Sequence, residues 1–167
     1  MKDIILIATI KDWNINNFYE FKKKFEDKYN LYLITNKDDL IYQNVKDLNP
    51  KYIFFPHWSW LIPNEIYKNY ECILFHMTDL PYGRGGSPLQ NLITNKIYNT
   101  KISAIKVTKE LDEGDIYLKE NFDISKGSAR EIYENASNLI FSELIPKIIE
   151  NNLIPTKQAG EIVIFKR

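Results

Sequence analysis

The order of hydrophobic and polar positions changes rhythm several times along the chain, and each change predicts an element. Ile4-Ile5-Leu6-Ile7-Ala8 is an unbroken apolar run, the pattern of a parallel strand covered on both faces. Between Asn14 and Tyr29 the apolar positions become Phe18, Phe21, Phe25 and Tyr29, the spacing of one face of an amphipathic helix. Leu31 to Ile34 reads as a second strand, Asp38 to Val45 as a short helix, and Tyr52 to Phe55 as a third strand closed by Pro56. Pro63 to Tyr67 reads as a short helix opened by proline, and Cys72 to Phe75 as the fourth strand.

After His76 the pattern breaks into prolines and glycines (Pro81, Gly83, Gly85, Gly86, Pro88), which predicts a loop. Pro88 to Thr94 then reads as a helix with Ser87 as its N-cap. Ile102 to Val107 and Ile116 to Phe122 are two further strands around the turn Glu110 to Asp115. Ser128-Ala129-Arg130-Glu131 has the form of a capping box, and Ile132, Ala136, Leu139, Ile140 and Leu144 keep a helical period behind it. Pro146 should kink or end that helix, and the tail closes in the β-prone run Ile162 to Phe165. Alternating strands and helices predict an α/β fold, a three-layer sandwich around a mainly parallel twisted sheet, in a single domain over residues 1–167.

Composition narrows the classes. Lys plus Arg and Asp plus Glu each number 22, so nothing in the charge forms an electrostatic footprint for nucleic acid or an anionic membrane. The single cysteine, Cys72, excludes an intrachain disulfide and a CxxC metal site, and its apolar setting marks it as core. The apolar N-terminal segment is interrupted too soon for a leader or a membrane span, so a soluble cytoplasmic protein is expected. With 11 Tyr, 9 Phe and 3 Trp, some aromatic side chains are expected to line a pocket or a contact between subunits.

The candidate chemistry centres on two histidines. His57 and His76 each follow a predicted strand, and in a parallel sheet those ends lie on one side, where α/β proteins bind ligands. Each either serves such a cleft or merely packs at a strand end. Two histidines without cysteine partners make no zinc site unless carboxylates come from far along the chain. Asp112, in Leu111-Asp112-Glu113-Gly114-Asp115, is either a turn former or a carboxylate for proton transfer. Gly83-Arg84-Gly85-Gly86-Ser87 lacks the spacing of a phosphate loop; its glycines let backbone turn tightly or approach a ligand, and Arg84 is either an anchor or a surface charge. No serine sits in a GxSxG context.

Two of these stretches together resemble a known family. His76-Met77-Thr78-Asp79-Leu80-Pro81-Tyr82-Gly83-Arg84-Gly85 is similar to the formyltransferase motif in which a histidine precedes Leu-Pro and Arg-Gly. Leu111-Asp112-Glu113-Gly114-Asp115-Ile116 resembles that family's LDxGDI motif. Leu61 to Ile66 is similar to the segment beside the folate pocket, and Pro155 to Arg167 resembles the tail of sugar N-formyltransferases. The resemblance implies a formyltransferase (Rossmann-like) fold and 10-formyltetrahydrofolate as formyl donor. It implies His76 as general acid/base and Asp112 as its proton-relaying partner; the residues themselves lead to no expected metal.

Trp58, Trp60, Ile62, Arg84 and Gly114 are the expected cofactor-side residues, and Tyr82, Gly83 and Gly85 the expected substrate side. Leu74 departs from the family, which normally has Asn two residues before the histidine. Leucine cannot donate to developing negative charge, a loss worth roughly 10²–10³ in rate elsewhere, so His57 or a backbone N–H is expected to substitute. The expected acceptor is a nucleotide-linked 4-amino-4,6-dideoxy sugar, as in pseudaminic-type surface-glycan pathways, with no nucleic acid or membrane partner and a homodimer in keeping with the family's habit. The alternatives are a non-catalytic folate or nucleotide-sugar binding protein marked by Leu74, or a glycinamide-ribonucleotide-type enzyme.

Overall fold

The computed structural model describes residues 1–167. The chain divides into two compact units, Met1–Leu74 and Phe75–Arg167. The architecture is the expected α/β type with a mainly parallel sheet.

In the first unit, β1 (Asp3–Ala8) lies parallel to both β2 (Tyr29–Ile34) and β3 (Tyr52–Phe55). β4 (Cys72–His76) pairs parallel with β3 through Ile53↔Cys72 and Phe55↔Leu74. Ile5, Leu6 and Ile7 are at most 1 % exposed, so successive residues pointing to opposite faces are all covered. α1 (Asp12–Phe25) buries Phe18, Phe21 and Phe25, with the last two rings 4.6 Å apart. It stops at Phe25; Tyr29, although in phase with the helix, pairs with Asp3 in the sheet.

The expected helix from Asp38 to Val45 is replaced by a 3-10 turn at Lys37–Asp39 and α2 (Tyr42–Leu48). The Asn36 side chain accepts from Asp38 N–H and closes the turn, and the buried Val45 anchors α2. α3 spans Asn64–Asn69, with Pro63 one residue before it.

In the second unit, β6 (Asn99–Lys106) and β7 (Ile116–Asp123) form an antiparallel pair. The glycine-rich stretch is not only a loop: Tyr82–Gly85 forms β5, paired in parallel with β8 (Val163–Phe165). α4 occupies Pro88–Thr94 as expected. The Ser87 cap does not form; Ser87 has φ +52° and makes no capping bond, while the Asn91 amide donates to the Gly86, Ser87 and Lys166 carbonyls.

α5 (Ala129–Leu139) opens with the full Ser128–Glu131 capping box. A π-helical turn, Ile140–Leu144, separates it from α6 (Ile145–Asn151). Pro146 therefore follows the π turn as the second residue of α6 and does not end the helical run, which continues to Asn151. Leu144, Ile145 and Ile148 are fully buried along this stretch. No helix is long and apolar enough to cross a membrane.

Candidate active site

β4 ends on His76, which is 8 % exposed. Its Nε2 lies 2.8 Å from the Gly83 carbonyl oxygen. A carbonyl only accepts, so Nε2 carries the proton and Gly83 sets the tautomer and the ring plane. The Thr78 hydroxyl donates to the same oxygen at 3.2 Å. That leaves Nδ1 facing Asp112 Oδ1 at 3.7 Å. Asp112 is 7 % exposed, and its second oxygen accepts the Gly85 N–H at 2.9 Å. The carboxylate thus spans the imidazole and the glycine strand.

Asp112 is held by an unusual turn. Its φ is +58°, a left-handed conformation that aspartate tolerates better than most residues. At Gly114, a Cβ would lie 1.7 Å from the Lys106 carbonyl oxygen, so the turn crosses the end of β6 where no side chain fits. Gly83 is similarly confined: its φ is +79°, and a Cβ would come within 2.7 Å of Thr78 and 2.8 Å of the Phe165 ring. β8 therefore holds β5 at the distance that brings Gly83 O to His76.

Arg84, expected on the cofactor side, directs its guanidinium into the protein. Nη1 donates to Glu113 Oε1 at 3.0 Å, while Nε and Nη2 donate to Gln158 Oε1 at 3.1 and 2.9 Å. The Gln158 amide nitrogen donates to the carbonyls of Asp112 (2.9 Å) and Gly114 (2.8 Å). Gln158, Glu113 and Thr78 were not singled out by sequence reasoning. The only sequence signal for Gln158 was its place in the tail whose wording resembled the family.

The remaining candidates lie in the first unit. The Pro56 carbonyl is bound by the Thr9 hydroxyl at 2.5 Å and the Asn14 amide at 2.7 Å, fixing the exit from β3. His57 follows with φ +76°. Desolvation of its ring, with the positive charge of Lys11 adding to it, holds its pKa below the usual 6.5. Trp58 packs edge-on to Phe55 and to Trp60, at centroid distances of 6.1 and 5.2 Å. Lys37 sits over the Trp60 ring, and Ile62 is half-buried. Trp58 Nε1 is buried with no hydrogen-bond partner, a donor facing no protein acceptor. No three His, Cys, Asp or Glu side chains converge to hold a metal ion.

Together these features define an α/β protein with a buried histidine set against a buried aspartate at the carboxyl end of a strand, an arrangement chemically able to accept and release a proton. No protein-family model matches the chain. It is 28 % identical over 145 residues to the methionyl-tRNA formyltransferase of Rickettsia massiliae, a match covering 84 % of this chain and 48 % of that protein. The chain thus spans about half the length of the curated relatives it matches.

Among solved structures, a methionyl-tRNA formyltransferase from Clostridium thermocellum superposes with a TM-score of 0.96 at 55 % identity, covering 99 % of this chain and 72 % of that one. A sugar N-formyltransferase from a Shewanella species (TM-score 0.74, 16 % identity, 98 % and 76 % covered) shares the fold. HypX from Aquifex aeolicus in complex with tetrahydrofolic acid shares it too (TM-score 0.77, 18 % identity, 96 % and 29 % covered). The chain belongs to the formyltransferase family.

Proposed function

We propose that the chain transfers the formyl group of 10-formyltetrahydrofolate to the amine of a nucleotide-linked amino sugar of the 4-amino-4,6-dideoxy type. The observation that carries this reading is the His76–Asp112 pair: a ring with one nitrogen pinned to Gly83 and the other 3.7 Å from a carboxylate. The aromatic corner of the first unit fits a pterin, because the buried Trp58 N–H lacks an acceptor and a pterin edge is rich in them. Trp58, Trp60 and Ile62 are the residues that would hold it. When bound, the cofactor supplies an electrophilic formyl carbon.

The chain's own residues handle the proton. As the formyl group passes to the amine and its bond to the folate N10 breaks, the amine must lose a proton; His76 would take it at Nδ1, the nitrogen not bonded to Gly83, and give it to the departing N10. Asp112 keeps the ring oriented and balances the charge it acquires. Gly83 O, supported by Thr78, prevents the ring from turning away. Tyr82, beside Gly83 and in edge contact with Phe165 at 5.5 Å, is the aromatic face offered to the acceptor.

The balance of 22 basic and 22 acidic residues favours a small acceptor over tRNA, whose binding draws on many phosphate contacts. A second reading, methionyl-tRNA as acceptor, is favoured by the 55 % identity to a protein of that name.

Mass spectrometry decides between them. 10-Formyltetrahydrofolate is mixed with nucleotide-linked amino sugars, methionyl-tRNA or glycinamide ribonucleotide, using wild type and His76→Asn. A formyl mass gain on a sugar, reduced by roughly 10²–10⁴ in the variant, is the expected result. A gain on methionyl-tRNA alone selects the second reading. Folate binding without any product would make the chain a binding protein, with Leu74 in the family's Asn position as the reason.

A further inference from the structure

We propose that Gln158 is the positioning residue of the acid/base pair, the clamp that holds Asp112 and the glycine strand in register with His76. Its carboxamide has two acceptor sites and two donors, and all four are used. Oε1 accepts from Nε and Nη2 of Arg84 at 3.1 and 2.9 Å; Nε2 gives its protons to Asp112 O at 2.9 Å and Gly114 O at 2.8 Å. Gln158 is bonded both to a side chain of β5 and to the backbone of the Asp112 turn. Arg84 extends the tie through Glu113, the residue between the two carbonyls that Gln158 binds.

The clamp explains how a residue in a left-handed conformation can aim a carboxylate reproducibly. Asp112 has φ +58°, and its carboxylate accepts the Gly85 N–H while its other oxygen faces His76. The Gln158 bond to its own carbonyl fixes the peptide that sets the direction of its Cα–Cβ vector. Gly85 and Arg84 are neighbours on β5, so the same glutamine holds both the donor and the acceptor of the Gly85–Asp112 bond.

Gln158 touches neither His76 nor the Asp112 carboxylate; its effect passes through the backbone. Displacing catalytic groups by about 1 Å costs on the order of 10²-fold, which sets the size of the expected effect.

The inference rests on the formyltransferase reading for its kinetic arm, and the experiment therefore has a second arm that does not. Gln158→Glu is nearly isosteric and keeps the Arg84 contact, but it sets a carboxylate oxygen against two carbonyl oxygens. Gln158→Leu removes all four bonds. In the kinetic arm, both variants are expected to lower kcat by roughly 10–100-fold with the donor KM little changed. Adding Gln158→Leu to Asp112→Asn should cost nothing further, because the residue works through Asp112.

In the spectroscopic arm, ¹H–¹⁵N spectra of the His76 ring in wild type, Gln158→Glu and Asp112→Asn read the tautomer and hydrogen bonding directly. Both variants are expected to perturb the Nδ1 resonance in the same sense. Wild-type kcat in Gln158→Glu, multiplying losses in the double variant, or an unchanged His76 spectrum would each overturn the proposal. If wild type transfers no formyl group, the functional reading fails, and the spectrum alone still decides on Gln158.

Discussion

Gly114→Ala tests the placement of the Asp112 turn most sharply. Gly114 is buried and its φ lies outside the left-handed region, so alanine is excluded by space and not by backbone conformation. The added Cβ would stand 1.7 Å from Lys106 O, whereas carbon and carbonyl oxygen settle at about 3.3 Å or more, so one backbone must retreat by roughly 1.6 Å.

One hydrogen bond crosses that gap, Lys106 N–H to Asp115 O at 2.9 Å, and a second, Gln158 Nε2 to Gly114 O at 2.8 Å, is lost if the turn retreats. Losing each costs ~0.5–1.5 kcal/mol, and forcing a side chain into packed surroundings adds ~1–3 kcal/mol. The middle of these ranges is about 4 kcal/mol, or a Tm lower by roughly 12 °C for a chain of this size. Urea and thermal unfolding measure the loss, and formyl transfer measured on the folded fraction should fall as well, since Asp112 is two residues away. Stability within about 0.5 kcal/mol of wild type, together with full turnover, would refute the steric argument.

Two further outcomes follow from other parts of the chain. Because the folded state holds the pKa of His57 below its ordinary 6.5, the unfolded chain binds more protons than the folded one below that pH. Its contribution to stability is therefore complete above pH 6.5 and is lost as pH falls toward the folded value. His57→Asn, which suits φ +76°, should flatten the fall of stability in urea titrations between about pH 7 and 5; a difference curve without slope would contradict this. Ser128→Ala should cost about 1 kcal/mol by removing the acceptor for Glu131 N–H at 3.2 Å, read as a lower urea midpoint with an unchanged slope.

The Pro88–Thr94 helix and the strand Tyr52–Phe55 coincide with the expectation to the residue, and the Ser128 capping box forms in full. Each rests on local rules: proline at a first helical turn, an apolar run between breakers, a side chain reaching three residues on. Local rules failed where a second partner competed. The apolar period of α1 extends to Tyr29, but sheet pairing with Asp3 claimed that residue. Ser87 has the right chemistry for a cap and the wrong backbone, because the Asn91 amide reaches back over the same carbonyls.

The sequence by itself determined the order of elements, the buried strands, and the two stretches that carry His76 and Asp112. The elements follow from residue preference and periodicity, which act over a few neighbours, and the two stretches from wording that resembles the family's motifs. Only the tertiary structure decided that the glycine stretch is a strand, that Arg84 turns inward, and that Gln158 closes the acid turn. These depend on bonds between residues 27, 46 and 74 positions apart, made largely to backbone groups that every residue type carries. A carbonyl has no signature in a sequence, so the side chain that finds it becomes visible only when the fold brings the two together.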